Sequence, residues 1–335
     1  MSNDNLLSVD NLVIEFRQSD TRLRPVDGVS FELKPGEIAG LVGESGSGKS
    51  LTCRGLADLL PRTGKSRFSG TVTINGRQWD VADPDHRAVT SDIAMVFQNP
   101  ASFLDPLMPV WKQIAEPLIH HDGVGKREAF EEAIVLMTKV GIPDPQRNAG
   151  VYPHQLSGGM KQRIVIASAL ACKPRLLIAD EPTTALDVTV QMQILRLLLK
   201  LREEENLSII IVSHDLAVIG TLCDRINVMY CGRLVEQGTR NEVLTTPAHP
   251  YTLALLHSSP VWDSHDDDIE AIPGQLPPLH DLPSGCRFHP RCPHATDICR
   301  ENVPPLVDAP QQAGHKAACF HTEEVMSNHG IIAGS

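Results

Sequence analysis

The 335-residue sequence is poor in aromatic side chains and has no excess of basic ones. Phe, Trp and Tyr make up 4% of the chain, so the stacking surfaces that proteins use on single-stranded nucleic acid are in short supply. Lys and Arg number 30 against 41 Asp and Glu, which gives a formal net charge of −11. A protein whose main activity is to bind the DNA or RNA backbone needs a basic face, so this charge balance argues against that class.

Long apolar runs are also absent. No stretch of about 18 consecutive apolar residues occurs, so the sequence predicts no helix that spans a bilayer. The first ten residues are polar and acidic and lack the basic-then-apolar order of a signal peptide. We therefore expect the chain to stay in the cytosol, where its eight cysteines are reduced or bind metal instead of forming disulfides.

What the sequence does contain is an alternation of short apolar runs and helical patterns. Hydrophobic residues make up 41% of the chain, and its length predicts two domains or one large domain with an appendage. The alternation is typical of an α/β fold with a mostly parallel sheet and helices on both faces. Predicted strands lie at 12–16, 29–33, 38–42, 70–75, 93–97, 176–179, 209–212 and 226–230. Predicted helices lie at 50–60, 127–140, 160–171 and 190–203.

A glycine-rich loop follows the strand predicted at 38–42. Residues 43–50 read Gly-Glu-Ser-Gly-Ser-Gly-Lys-Ser and match the phosphate-loop pattern G-x-x-x-x-G-K-[ST]. Glycines allow the backbone to wrap around phosphates, and the start of the next helix adds N–H groups and a favourable dipole. Lys49 is expected to neutralise the β- and γ-phosphates, and the Ser50 hydroxyl to bind Mg²⁺. The predicted ATP-binding residues are Gly43, Glu44, Ser45, Gly46, Ser47, Gly48, Lys49, Ser50 and Leu51.

Two carboxylates end the apolar strand predicted at 176–179. Asp180 is placed to hold the Mg²⁺ shell, and Glu181 is placed to polarise the water that attacks the γ-phosphate. Solvated carboxylates at a strand end are common, so this pair alone leaves both interpretations open. Together with the phosphate loop, the pair predicts an ATP hydrolase.

A second helix start on the same chain is also suited to bind an anion. Ser157, Gly158 and Gly159 precede the helix predicted at 160–171. One nucleotide cannot use both this helix and the phosphate loop unless two chains meet head to tail. The segment Leu-Ser-Gly-Gly-Met-Lys-Gln at 156–162 resembles the signature motif of the ABC (ATP-binding cassette) ATPases. The resemblance implies that Ser157 and Gly159 of one subunit cap the γ-phosphate held by Lys49 of a second subunit.

Further residues match motifs of this family in the family's order. The resemblance implies that Phe16 stacks on the adenine and that Gln98 senses Mg²⁺ and the γ-phosphate. It places Asp187, within 185–187, in the loop that crosses the dimer seam, and it makes His214 the switch histidine that contacts the γ-phosphate. The resulting catalytic residues are Glu181, His214 and Gln98, and the Mg²⁺ ligands are Ser50, Gln98 and Asp180.

The resemblance also implies a division of the chain. Residues 1–98 and 157–246 correspond to the ABC ATPase core of the P-loop NTPase class, a RecA-like parallel sheet plus an antiparallel β subdomain. Residues 99–156 correspond to a helical subdomain. The 58 residues between Gln98 and Ser157 contain no heptad run and match the helical subdomain of transporter cassettes in size. We expect their segment 99–110 to line the groove that receives coupling helices from membrane subunits.

Residues 247–335 are expected to form a separate, loop-rich C-terminal extension that is rich in Pro and Cys. Its segments 249–256 and 285–293, with Tyr-Pro-His-Gln at 152–155, resemble the oligopeptide/dipeptide/nickel importer ATPases. This implies an ATP-hydrolysing subunit that energises a peptide importer, peripheral on the cytoplasmic face of the cell membrane. The implied partners are two transmembrane permease subunits, an identical or homologous second ATPase and an extracytoplasmic substrate-binding protein, with no nucleic acid. The alternative is a soluble, non-transport ABC ATPase that acts on nucleic acid or ribosomes.

Four cysteines cluster in this extension. Cys286, Cys292, Cys299 and Cys319 are separated by five, six and nineteen residues, which predicts a metal site. Structural zinc prefers closer Cys pairs, whereas longer, irregular gaps suit a 4Fe–4S cluster, which the resemblance also implies. A zinc site and plain reduced thiols stay open. The role expected first is structural, because a metal can stabilise a segment with little core. The other cysteines, Cys53, Cys172, Cys223 and Cys231, are expected to be buried, and the acidic run 263–268 to be a solvated linker.

Overall fold

A computed structural model of the chain describes residues 5–18, 21–83, 91–121, 123–184, 186–258 and 272–332. The chain forms two compact units, the first made of 1–86 with 212–335 and the second of 87–211. The acidic run at 263–268 and Ala185 lie outside the described residues. The predicted boundaries at 98, 156 and 246 stay a prediction.

The described strands and helices have the following bounds. The strands are β1 (Leu7–Gln18), β2 (Thr21–Leu33), β3 (Ile38–Val42), β4 (Ser66–Ile74), β5 (Arg77–Asp80), β6 (Ile93–Val96), β7 (Leu176–Asp180), β8 (Ser208–Ser213), β9 (Arg225–Tyr230), β10 (Arg233–Thr239), β11 (Val307–Ala309) and β12 (Gln312–Ala317). The α-helices are α1 (Lys49–Leu56), α2 (Pro100–Phe103), α3 (Val110–His121), α4 (Lys126–Lys139), α5 (Pro145–Asn148), α6 (Gly158–Ala171), α7 (Val188–Glu205), α8 (Leu216–Leu222), α9 (Arg240–Thr245), α10 (Pro250–His257), α11 (Asp297–Glu301) and α12 (Thr322–Ile332). Short 3₁₀ turns lie at Pro153–Gln155 and His289–Arg291.

The first unit contains an antiparallel sheet with the strand order β2-β1-β4-β5. Asn75 and Gly76 join β4 to β5, and both have a positive φ, 51° and 75°. This is the two-residue hairpin that the Asn-Gly pair predicts, because both central residues of such a turn are left-handed. The same turn sets the register in which Ile74 faces Arg77.

Five more strands of the first unit follow the order β11-β12-β10-β9-β3. β3 and β9 are parallel, whereas β9–β10, β10–β12 and β11–β12 are antiparallel. All five residues of β3 are buried, as expected for a central parallel strand. The last two strands come from the C-terminal extension, so the extension continues a sheet that begins beside the phosphate loop.

The second unit contains the strand order β8-β7-β6, in which β6 and β7 are parallel. The unit boundary at Val212 falls within β8. Trp111 on α3 and Phe130 on α4 make an edge-to-face contact at 5.0 Å. Buried side chains on α3, α4 and α6, among them Ile114, Met137 and Ile164, form the apolar interior of the helical part.

The α/β class is confirmed, with a parallel core and antiparallel strands. The helix predicted at 50–60 ends four residues early, because Asp58 adopts a left-handed backbone with φ 52°. Cys172 is exposed and not buried, since it caps the end of α6. Within the part of the chain that the structure describes, no helix has both the length and the apolar character needed to cross a membrane.

Candidate active site

The phosphate loop lies between β3 and α1 in the first unit. Gly43 and Gly48 have φ values of 149° and 107°. A Cβ atom on Gly43 would lie 2.1 Å from the carbonyl oxygen of Met229, and one on Gly48 would lie 2.3 Å from that of Pro25. Only glycine fits these two positions, because both the backbone conformation and the space exclude a side chain. Gly48 then precedes α1, whose first N–H groups are oriented as an anion site requires.

Lys49 is buried inside this loop, with 4% of its surface exposed. Its ammonium donates hydrogen bonds to the carbonyl oxygens of Gly43 at 2.7 Å and Glu44 at 2.9 Å. The neighbouring Ser47 hydroxyl, 3.4 Å away, is fully buried. The Lys49 ammonium is therefore held by carbonyl oxygens of the loop itself. A bound triphosphate would offer it charged oxygens, which accept stronger hydrogen bonds.

Glu44 connects the phosphate loop to the C-terminal extension. Its N–H donates to the Tyr251 hydroxyl at 2.7 Å, and its carboxylate forms an ion pair with Arg291. Arg291 is not among the site residues predicted from the sequence. The signal that could have found it is a carboxylate inside a phosphate-binding loop, which needs a neighbouring cation.

Two other predicted residues lie in the first unit. Phe16 is half-buried on β1, in register with Leu23 of β2 and Ser66 of β4. His214 is exposed directly after β8. Here the Ser213 hydroxyl accepts a hydrogen bond from the Asp215 N–H at 2.9 Å, which closes a short turn around the histidine. The roles of both residues stay predictions.

The second unit contains the carboxylates that follow β7. Asp180 is buried, with 2% of its surface exposed. Glu181 accepts hydrogen bonds from the Gln98 amide at 2.7 Å and the Thr184 hydroxyl at 2.9 Å. Its backbone is left-handed with φ 47°, which is uncommon for a residue with a side chain and typical of functional sites. The structure thus brings together two of the three predicted catalytic residues.

The signature segment opens α6 in the same unit. Ser157 is the N-cap, and its hydroxyl accepts a hydrogen bond from the Met160 N–H at 3.3 Å. Ser157 and Gly158 are exposed, and a Cβ atom on Gly159 would lie 2.6 Å from Val190. Asp187 is exposed and caps α7, accepting from the Val190 N–H at 2.9 Å. The helix start is therefore accessible to a ligand from outside the subunit.

The four cysteines of the extension interact electrostatically with one another. Burial raises the pKa of Cys292 to about 11 and of Cys319 to about 12, and the other thiols add to both shifts. The Cys319 sulfur also accepts a hydrogen bond from the His321 N–H at 3.3 Å. Within the described ranges, however, no group of three or more His, Cys, Asp or Glu side chains is arranged to hold a metal ion. This finding supports neither the predicted 4Fe–4S cluster nor the zinc alternative.

Comparison with known proteins identifies two sequence families. The family described as ABC transporter matches residues 26–184, and the oligopeptide/dipeptide transporter C-terminal region matches residues 235–299. The oligopeptide transport ATP-binding protein OppD of Salmonella typhimurium is 45% identical over 321 residues, covering 95% of this chain and 94% of that protein. The dipeptide transport ATP-binding protein DppD of Escherichia coli is 44% identical over 303 residues, covering 90% and 92%.

Solved structures agree with these families. The protein cbiO1 of Clostridium perfringens, part of the ABC transporter complex cbiONQ, superposes with a TM-score of 0.61 at 27% identity, covering 72% of this chain and 91% of that one. The ATP-binding cassette MJ0796, a dimer bound to ADP and Pi, gives a TM-score of 0.60 at 28% identity, covering 70% and 98%. The non-transport alternative is not favoured. The chain belongs to the ABC transporter family, as an ATP-hydrolysing subunit that carries the oligopeptide/dipeptide transporter C-terminal region.

Proposed function

We propose that this subunit drives the import of short peptides by hydrolysing MgATP in a pair of cassettes. The observation that carries the proposal is the hydrogen-bonded Glu181, held by Gln98 and Thr184 at the end of β7. A carboxylate fixed by two donors is a suitable base for the attacking water. Lys49 and Ser50 bind the phosphates and Mg²⁺, Asp180 completes the Mg²⁺ shell, and Phe16 stacks on the adenine.

A second cassette completes each site in this proposal. The exposed Ser157 and Gly158 provide a helix start that caps the γ-phosphate bound by the other subunit. Two apolar side chains near the signature support such a seam, since Val188 is 76% and Met192 is 40% exposed. The relative MJ0796 is itself a dimer with ADP and Pi bound. The second cassette is this chain or a homologue.

The partners in the membrane are two permease subunits, which place this chain on the inner face. Exposed apolar side chains at the predicted coupling surface support this part of the proposal. Within the predicted segment 99–110, Phe103 is 49% and Leu107 is 86% exposed. Such a group fits the apolar side of a short coupling helix. Peptides as cargo are supported by the relatives OppD and DppD, whose names give oligopeptide and dipeptide transport. The proposal also includes an extracytoplasmic binding protein that delivers the peptides.

The cysteine group of the extension is the part of the proposal that concerns a metal. A 4Fe–4S cluster provides a separate iron for each thiolate, so its ligands do not converge on one point as they do for zinc. The spacing of the four cysteines in the sequence and the N–H donor to Cys319 support a cluster. Protein purified without oxygen should be brown, with broad absorbance near ~400 nm. A colourless protein with bound zinc contradicts the cluster.

The catalytic proposal is tested with Glu181→Gln. This variant keeps the size of the side chain but replaces one carboxylate oxygen by an amino group and so removes the base. We expect ATP binding to persist while turnover falls at least about a hundredfold. The closed dimer should accumulate with ATP, as measured by light scattering. Glu203→Gln, on the exposed surface of α7, is the matched control. Normal turnover by Glu181→Gln would reject the assignment of the base.

A further inference from the structure

The strongest contact between the extension and the phosphate loop is a bidentate ion pair. The two terminal nitrogens of Arg291 lie 2.7 and 3.0 Å from the two carboxylate oxygens of Glu44. The Arg291 side chain is 4% exposed, and its Nε donates to the carbonyl oxygen of Pro273 at 2.8 Å. Hydrogen bonding to Glu44 raises the pKa of Arg291 further, so the guanidinium is always charged.

A second contact holds the backbone of the same loop residue. The Tyr251 hydroxyl, from α10, accepts the Glu44 N–H at 2.7 Å. Tyr251 is fully buried and packs edge-to-face on Tyr230 at 4.6 Å and against Phe288 at 5.4 Å. Both the side chain and the main chain of Glu44 are therefore fixed by residues of the extension, on a rigid aromatic support.

These contacts add to the hydrogen bonds that Lys49 makes with the carbonyl oxygens of Gly43 and Glu44, and they matter because the loop is rich in glycine. Gly43 and Gly46 flank Glu44 with φ values of 149° and 85°, and glycine adopts many other conformations. A carboxylate in a phosphate-binding loop also repels a triphosphate unless a cation compensates it. Arg291 supplies that cation from the side of the extension, and it holds the loop in one conformation.

We propose that Arg291 is a positioning residue for the phosphate loop, and that the C-terminal extension thereby sets the affinity of the subunit for MgATP. The inference rests on the proposed function, since it requires the loop to bind ATP. Coupling between two sites is reciprocal. If the turn at His289–Arg291 raises the affinity of the loop for ATP, bound ATP must stabilise that turn by the same free energy.

The first test compares Arg291→Met and Arg291→Lys with the wild-type subunit in its complete transporter. Arg291→Met leaves Glu44 uncompensated, so we expect the KM for ATP to rise about tenfold or more, with kcat changed less than about twofold. Arg291→Lys keeps the charge but loses the bidentate geometry and should lie between. Arg300→Met removes an exposed arginine of the same extension that pairs with Asp297, and it should behave as wild type.

A double variant separates positioning from loss of structure. Adding Glu44→Gln to Arg291→Met removes the uncompensated carboxylate, so part of the lost affinity should return. A general folding defect would not be repaired by this change. Glu44→Gln alone also carries the test if Arg291→Met does not fold, because it breaks the same ion pair from the loop side.

The reciprocal test does not use activity. We expect a non-hydrolysable ATP analogue to slow amide hydrogen exchange at 289–292 in the wild type, to slow it less in Arg291→Lys and to have no such effect in Arg291→Met. A wild-type subunit that does not bind MgATP refutes the proposed function. This inference alone is refuted by a different result. In that case the wild type binds MgATP, the variants Arg291→Lys, Arg291→Met and Glu44→Gln bind it with equal affinity, and the ATP analogue does not protect 289–292 in the wild type.

Discussion

Replacing Glu236 by Gln tests how the extension is attached to the sheet. The Glu236 carboxylate on β10 is fully buried. It accepts hydrogen bonds from the N–H groups of Ala248 at 2.8 Å and His249 at 2.9 Å, and His315 Nε2 on β12 lies 2.7 Å away. The carboxylate therefore joins the last strand of the core to the start of α10 and to a strand of the extension.

The size of the effect follows from the number of acceptors. Gln offers one oxygen where Glu offers two. Because the N–H groups of Ala248 and His249 bond to different carboxylate oxygens, one of them faces the amino group and loses its acceptor. A buried donor without an acceptor costs about 1–3 kcal/mol, and hydrogen bonds to a charged acceptor are stronger than those to a neutral one. We expect Glu236→Gln to lower the free energy of unfolding by about 2–4 kcal/mol. At ~2.1 cal/mol/K per residue, this lowers the Tm by about 3–6 °C.

Thermal unfolding followed by circular dichroism measures this difference. Glu301→Gln, an exposed glutamate at the end of α11 in the same extension, is the control and should unfold within about 1 °C of wild type. If Glu236→Gln also unfolds within about 1 °C of wild type, the three hydrogen bonds do not attach the extension, and the reasoning is wrong.

Three further predictions concern the signature, the coupling surface and pH. Gly159→Ala places a Cβ atom 2.6 Å from Val190, so in an ATPase assay we expect kcat to fall at least about tenfold while nucleotide still binds the phosphate loop. The control Gly150→Ala places its Cβ atom where no other atom lies within 4 Å, and it should hydrolyse ATP normally. Leu107→Asp puts a charge on the exposed apolar surface and should reduce co-purification with the permeases. Leu59 is an equally apolar residue that is 50% exposed, and the control Leu59→Asp should not reduce co-purification. Equal capture of the two variants by the permeases would contradict the docking surface. Burial lowers the pKa of His249 from 6.5 to about 3, so the unfolded state binds a proton first and the free energy of unfolding falls as the pH drops from about 6.5 towards 3. His249→Asn keeps an N-cap acceptor but does not titrate, so its Tm should decline less with acid than that of the wild type. Equal declines of Tm with pH in the two proteins would refute this.

The residues that sequence could identify are those whose chemistry lies in a short local pattern. The phosphate loop, the strand that ends in Asp180 and Glu181, and the Ser157 helix start each combine an apolar run with glycine, hydroxyl or carboxylate groups at fixed spacing. The buried strands β3, β7, β8 and β9 were predicted for the same reason, whereas the buried strand β10 was not. β1 is longer than predicted because register shifts, one of them between Asp10 and Val13, interrupt the alternation that marks a strand.

The contacts that sequence could not identify join distant parts of the chain. Glu44 and Arg291 are 247 positions apart, and Glu236 and His315 are 79 positions apart. No periodicity relates such pairs, and proline in the extension suggests a loose appendage instead of strands. Only the folded sheet shows that β12 lies beside β10.

The pairing of β10 with β12 has a consequence for any shortened form of the chain. Glu236 and Gln237 face Ala317 and Lys316 across this boundary. Cutting the chain before residue 247 would uncover a sheet border with unsatisfied main-chain donors and acceptors, flanked by apolar side chains. An exposed edge strand of this kind pairs with the same edge of another molecule. The ATPase core made alone should therefore precipitate or form strand-linked oligomers, and its solubility depends on the segment that follows it.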